Sequence, residues 1–275
     1  MWSWIRILRP LNLFQAMLAV ILAVYILGEF HQFQVLLLLL ISVLAINGAG
    51  NVINDIYDLD IDVINRPDRP LPAGEISPPD AWRYTIFLFA LGMLAAALIN
   101  RHTFIITTFI ATPLLVGYSR WFKRMPFLGN VVVAIILGLT FIYVGAAFGK
   151  ISGMVPLAGL AFGFTLIREI IKDLEDQAGD TSEGARTLPV VWGQGTTLGF
   201  VTLLVLIFLI ADLSPYWLGI YNRLYLIFVM VGVNLPLLSA LILLWFKPEK
   251  ITFRRVQLLL KYDIFIGLLA VLLGT

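Results

Sequence analysis

Residues 33–62 read FQVLLLLLISVLAINGAGNVINDIYDLDID. The apolar run 33–55 reaches the length of a bilayer-crossing helix and closes on Asn54, Asp55, Asp58, Asp60 and Asp62. About 20 apolar residues, rising about 1.5 Å each, cross a hydrocarbon layer of about 30 Å. Carboxylates are costly at such a boundary, so their clustering marks a functional site by default. A second apolar segment closes the same way, on Asp173-Leu174-Glu175-Asp176-Gln177-Ala178-Gly179-Asp180. The pattern D-x-x-D-x-x-x-D is carried once by Asp55, Asp58 and Asp62 and again by Asp173, Asp176 and Asp180.

The rest of the chain fits that frame. Of its 275 residues 60% are hydrophobic and 13% charged, and the mean hydropathy is +0.94. Such composition predicts an all-α polytopic membrane protein in one domain, 1–275. Spanning helices are expected over 11–28, 33–55, 80–99, 102–118, 129–149, 153–172, 194–213, 221–246 and 254–273. There is no cysteine, which excludes disulfides, thiolate metal sites and a cysteine nucleophile. The two histidines, His31 and His102, lie near expected loops away from the acidic clusters. They read as bystanders. The first apolar run is too long for a signal peptide and is expected to be retained as a span.

Charge placement sets the orientation. Of the 19 Lys and Arg, only Arg101, Lys150 and Arg223 fall on the side away from the N-terminus in the nine-span layout. Cytoplasmic loops carry the excess of cations. The N-terminus and both acidic clusters are therefore expected to face the cytoplasm. The clusters are 118 residues apart (Asp55 to Asp173), and Arg69-Pro70-Leu71-Pro72 is echoed 117 residues later by Arg186-Thr187-Leu188-Pro189. This pattern predicts two similar four-helix units plus a ninth helix. Parallel repeats place a shared site at their interface, here a central chamber.

At about 100° per residue, a helix continued through the first cluster puts Asn47, Asn51, Asn54, Asp58 and Asp62 on one face and Asp60 opposite. Glu169, Asp173, Asp176 and Asp180 share a face of the second, with Glu175 turned away. No cation interrupts either face in this reading. Asp60 and Glu175 are assigned to solvent or loop cations. Carboxylates so placed repel one another unless a cation lies among them. Oxygen ligands few in number, completed by phosphates and water, suit Mg²⁺, with Asn54, Asp58, Asp62, Asp173, Asp176 and Asp180 as its ligands, and Ca²⁺ shares the ligand type.

The same side supplies phosphate-binding groups. Arg9 and Asn12 open the first span, Asn51 lines the first face, and Arg66 and Arg69 follow it. Tyr118, Arg120, Lys123 and Arg124 lie between the fourth and fifth spans, and Lys172 and Arg186 flank the second cluster. Arg9, Arg69, Lys123 and Arg186 are expected to bind a diphosphate and ease its departure. The ring of Tyr118 is suited to a developing cation. The stretch 66–74, with Pro67, Pro70 and Pro72, cannot be a helix interior and is expected to be an ordered loop beside the site.

Asn54-Asp55-x-x-Asp58-x-x-x-Asp62 followed by Arg66-Pro67-x-Arg69-Pro70, with Asp173-x-x-Asp176-x-x-x-Asp180, resembles the paired signatures of the UbiA superfamily of intramembrane prenyltransferases. The resemblance covers nearly the whole chain. It implies nine helices around a chamber open to the membrane, Mg²⁺, and an isoprenyl diphosphate. Within the family, Ile64-Asn65-Arg66-Pro67-Asp68-Arg69-Pro70, Tyr118-x-x-x-x-Lys123-Arg124 with Gly129-Asn130, and Arg168–Asp176 are similar to the branch that makes archaeal-type ether lipids. Many relatives place the tyrosine and lysine four apart; here they are five apart. The resemblance implies geranylgeranyl transfer from geranylgeranyl diphosphate to the hydroxyl of a geranylgeranylglyceryl phosphate, a lipid acceptor. Asp58, Asp62, Asp176, Asp180, Lys123 and Tyr118 are then the expected catalytic set. An aromatic prenyltransferase of quinone or chlorophyll-type synthesis is the first alternative. An ion or solute transporter with an acidic vestibule is the second. The D-G-x-x-A-R start of a CDP-alcohol phosphotransferase is absent.

Overall fold

The computed structural model describes residues 2–182 and 184–275, the side chain of residue 65 apart. Among these residues the chain is helical, with no strand. Eight helices are long and apolar enough to cross a membrane: Phe33–Tyr57, Pro78–Ile99, Arg101–Arg120, Leu128–Ala147, Ile151–Ser182, Gln194–Trp217, Arg223–Phe246 and Lys250–Gly274. The first expected span is a shorter apolar helix, Pro10–Ile26, of 17 residues. The expected boundaries recur to within a few residues except at 153–172. That helix runs on to Ser182 and carries the whole second acidic cluster.

Local chemistry sets the ends. Ser77 accepts the Asp80 backbone N–H and starts the helix at Pro78, where a missing N–H costs nothing. Asn100 and Thr103 form a reciprocal capping box. Asn222 caps through Leu224. Pro113 and Pro236 each follow a wide π-helical segment, Ile106–Ala111 and Met230–Asn234. A proline ring clashes with the carbonyl four residues back, at Phe109 and Gly232, and the wide turn accommodates it.

The chain divides into two compact units, Met1–Trp121 with Leu139–Val155, and Phe122–Gly138 with Pro156–Thr275. The sequence repeat would cut the chain after its fourth span; the division instead passes through helices Leu128–Ala147 and Ile151–Ser182. A long helix touches different neighbours along its length, so its two ends need not belong together. In the first unit Ala45, Ala49, Val52, Leu71, Ala81 and Leu88 share one core. The helices Phe33–Tyr57 and Pro78–Ile99 approach so closely that a Cβ on Gly92 would lie 2.6 Å from Ile46. Ser42 donates to the Gly92 carbonyl there at 2.9 Å, and buried Tyr143 donates to Ser42 at 2.7 Å. In the second unit Ile167, Ile170, Leu188, Leu237, Leu244 and Leu260 belong to a larger core.

Candidate active site

The helix Phe33–Tyr57 stops inside the first acidic cluster. Asp58 leaves helical geometry (φ −97°, ψ 3°) and starts a separate short helix, Leu59–Asn65. The wheel drawn through 47–62 therefore fails after Asp58, and Asp62 does not continue the Asn54–Asp58 face. Asn54 and Asp58 do belong together: the Asn54 amide donates to Asp58 Oδ2 at 3.0 Å. Asp62 joins Asp55 instead. Arg69 donates to Asp62 Oδ2 at 2.5 Å and to Asp55 Oδ1 at 3.1 Å, and Arg9 reaches the same Asp55 oxygen at 2.5 Å. Cations thus do interleave with this cluster, contrary to the face reading, because the loop after Asn65 folds Arg69 back onto it. Burial pushes the Asp62 carboxyl above its usual range, against the pull of Arg69. Asp60 is exposed, as expected.

The segment before the first apolar helix is bound to the same place. Asn51 donates to the Leu8 carbonyl at 2.8 Å, which makes it a strut for that segment in this structure. Arg9 has left-handed backbone geometry (φ 55°, ψ 72°), which L-residues adopt at a cost. Arg6 holds the 66–75 loop through the Asp68 carbonyl and Glu75. That loop is ordered, with Leu71 in the core, as the prolines predicted.

The second cluster lies on one uninterrupted helix, so its carboxylates keep their spacing along one face, but cations meet that face too, contrary to the expectation, because Arg168 and Lys172 pair with Glu169. Asp173 accepts from Asn130 at 2.8 Å, and Asp180 accepts from Thr187 at 2.8 Å. Asn130 begins beside a tight crossing: a Cβ on Gly129 would lie 2.8 Å from the Phe122 carbonyl. Glycine there lets the short 3-10 turn Phe122–Arg124, which carries Lys123, rest on the start of the helix. Buried Glu169 pairs with Arg168 at 2.7 Å and with Lys172 at 3.7 Å. Glu175, expected at solvent or on loop cations, is half-buried.

The remaining expected residues differ in setting. Tyr118, Lys123 and Asn12 are half-buried; Arg66 and Arg186 are exposed. Arg120 is exposed and stacks over Trp121 at 4.8 Å. Asp55, Asn130 and Thr187 were not assigned from sequence. Asp55 fell off the drawn face, and Asn130 and Thr187 are polar residues whose partners lie far along the chain or across a loop.

Among the described residues no group of three His, Asp or Glu is gathered as a metal site. Asp55 and Asp62 face arginines, Asp173 faces Asn130, and Asp180 faces Thr187. One observation fits a cation all the same. Asn54 Oδ1 is buried without a hydrogen-bond partner while its amide nitrogen holds Asp58. An orphaned carbonyl oxygen beside a carboxylate is a donor set for a hard cation such as Mg²⁺.

Comparison with known proteins agrees with this chemistry. Residues 13–263 match the UbiA prenyltransferase family. Digeranylgeranylglyceryl phosphate synthase of Methanothermobacter thermautotrophicus is 36% identical over 273 residues, spanning 99% of this chain and 95% of the relative. A solved structure of digeranylgeranylglyceryl phosphate synthase in membranes has TM-score 0.83 at 33% identity, over 99% of this chain and 97% of the other. A UbiA homologue from Archaeoglobus fulgidus, bound to GPP and Mg²⁺, shares the fold with TM-score 0.66 at 23% identity, over 98% and 99%. On a family match that spans most of its length, the chain belongs to the UbiA prenyltransferase family.

Proposed function

We propose that the protein transfers a geranylgeranyl group from geranylgeranyl diphosphate to the hydroxyl of geranylgeranylglyceryl phosphate, forming the second ether bond of archaeal-type lipids. The full-length similarity to digeranylgeranylglyceryl phosphate synthases carries this reading. Asn54 and Asp58 are assigned to one magnesium ion, Asp176 and Asp180 to another, with Asp62 and Asp173 in support. Bound Mg²⁺ supplies neutralisation of the charge that builds on the leaving diphosphate.

Arg9, Arg69, Lys123 and Arg186 add donors that bind the departing oxygens more strongly than the ground state. The allylic C–O bond breaks with its electron pair leaving on the diphosphate, and Tyr118 faces the cation-like carbon. The acceptor hydroxyl oxygen forms the new C–O bond. Its proton passes to a carboxylate or to the diphosphate itself. We further assign nine spans, counting Pro10–Ile26, with the N-terminus and both clusters on the cytoplasmic side, as the distribution of Lys and Arg supports.

Product analysis by mass spectrometry tests the reading. Purified protein receives geranylgeranyl diphosphate, Mg²⁺ and either geranylgeranylglyceryl phosphate or 4-hydroxybenzoate. A Mg²⁺-dependent diether from the first acceptor is expected. A prenylated ring alone would move the function to aromatic prenyl transfer.

A further inference from the structure

Next to the second acidic cluster is a group of cations that the metal assignment does not use. Arg168 and Lys172 are one turn apart on the helix Ile151–Ser182, and both hold Glu169, at 2.7 and 3.7 Å. Lys261, from the helix Lys250–Gly274, is near enough for its charge to act on the same carboxylate. Glu169 is only 8% exposed. Arg168 and Lys172 thus pair with one buried carboxylate, and the charge of Lys261 acts on it as well. Arg168 also has an unused donor: its Nε is buried with no hydrogen-bond partner. A buried guanidinium N–H left unsatisfied costs free energy that an anionic oxygen would recover.

We propose that Arg168, Lys172 and Lys261, gathered on Glu169, bind the phosphomonoester of the lipid acceptor. The site rests on the acceptor's carrying a phosphate, as in the function proposed above. A phosphomonoester brings up to two negative charges and three acceptor oxygens, which match the three cations and the unused Arg168 donor. Glu169 acts as the positioning residue. It fixes Arg168 and Lys172 by ion pairs, and an anion would satisfy the buried Arg168 Nε. Arg168 lies five residues before Asp173, about 7.5 Å along the helix axis. At about 100° per residue Arg168 itself lies about 140° around the helix from Asp173, while Glu169 shares the Asp173 face. Such a site selects a phosphorylated acceptor over the corresponding alcohol.

The test compares two acceptors, geranylgeranylglyceryl phosphate and geranylgeranylglycerol, with saturating geranylgeranyl diphosphate and Mg²⁺. Lys261→Gln and Arg168→Gln should each raise KM for the phosphorylated acceptor about tenfold or more, as loss of a charge-assisted bond to phosphate predicts. The KM for the prenyl diphosphate should move less than about twofold. The preference for the phosphorylated acceptor should shrink in both variants, and Lys261→Arg should recover it. Equal shifts in both KM values, or none in either variant, would overturn the site. A seam that only holds the helices together would lower the melting temperature and leave acceptor preference intact, which also overturns it. If the wild-type protein made ether from neither acceptor, the function itself would fail, and the site with it.

Discussion

Asn130 donates to Asp173 at 2.8 Å from 43 positions away in the chain, so the second acidic cluster is oriented from outside its own helix. Asn130 is 6% exposed and its carboxylate partner sits on a continuous helix face. Replacing Asn130 with Ala removes a hydrogen bond to a charged group, worth about 2 kcal/mol. The Mg²⁺ concentration for half-maximal turnover should rise several-fold, and a titration of activity against Mg²⁺ measures it. An unchanged midpoint would remove Asp173 from the metal set.

Asp58→Ala and Asp176→Ala should each lower turnover about a hundredfold or more, because each deletes a proposed metal ligand that stabilises the leaving group. Asp60 is exposed on the short helix Leu59–Asn65. Asp60→Ala should stay within about twofold of wild type, as surface substitutions do. Steady-state rates for the three variants, with folding checked by melting temperature, separate these outcomes.

Asp55 has a structural burden that its neighbours lack. It is 3% exposed and shared by Arg9 and Arg69. Asp55→Ala leaves two guanidiniums short of their partner, and breaking a buried pair costs about 3 kcal/mol or more. A thermal melt in detergent should show a marked drop. The same melt for Asp60→Ala should not.

Glu29 makes a pH prediction at the opposite end of the first unit. Lys150 lies 2.7 Å from it and Gln32 donates at 2.6 Å, and these partners hold its carboxyl below the usual range. A lowered folded-state value means that the contribution to stability is fully present above the unfolded pKa of about 4.3. It is lost as pH falls through the lowered value. The melting-temperature difference between wild type and Glu29→Gln should therefore be largest near neutral pH and vanish in strong acid. A difference that grows on acidification would contradict the pairing.

Chelation gives the last expectation. EDTA should abolish product formation and added Mg²⁺ should restore it, measured in one preparation. Activity that survives chelation would remove the metal from the reaction.

The amino-acid sequence determined that the chain is helical and membrane-spanning, because apolar length and the cost of bare backbone in lipid leave few other solutions. It also determined the two acidic clusters, since carboxylates at that depth need a reason. The second cluster was legible as a helix face because nothing breaks the helix before Ser182. Tertiary structure alone decided the rest. It stopped the helix Phe33–Tyr57 at Asp58, turned Asp62 toward Arg69, and gave Asp55 to Arg9 and Arg69. It also brought Asn130 to Asp173. Helical periodicity describes residues within one element. A turn that folds a loop back, or a contact between helices far apart in the chain, is set by packing, which has no local period to read.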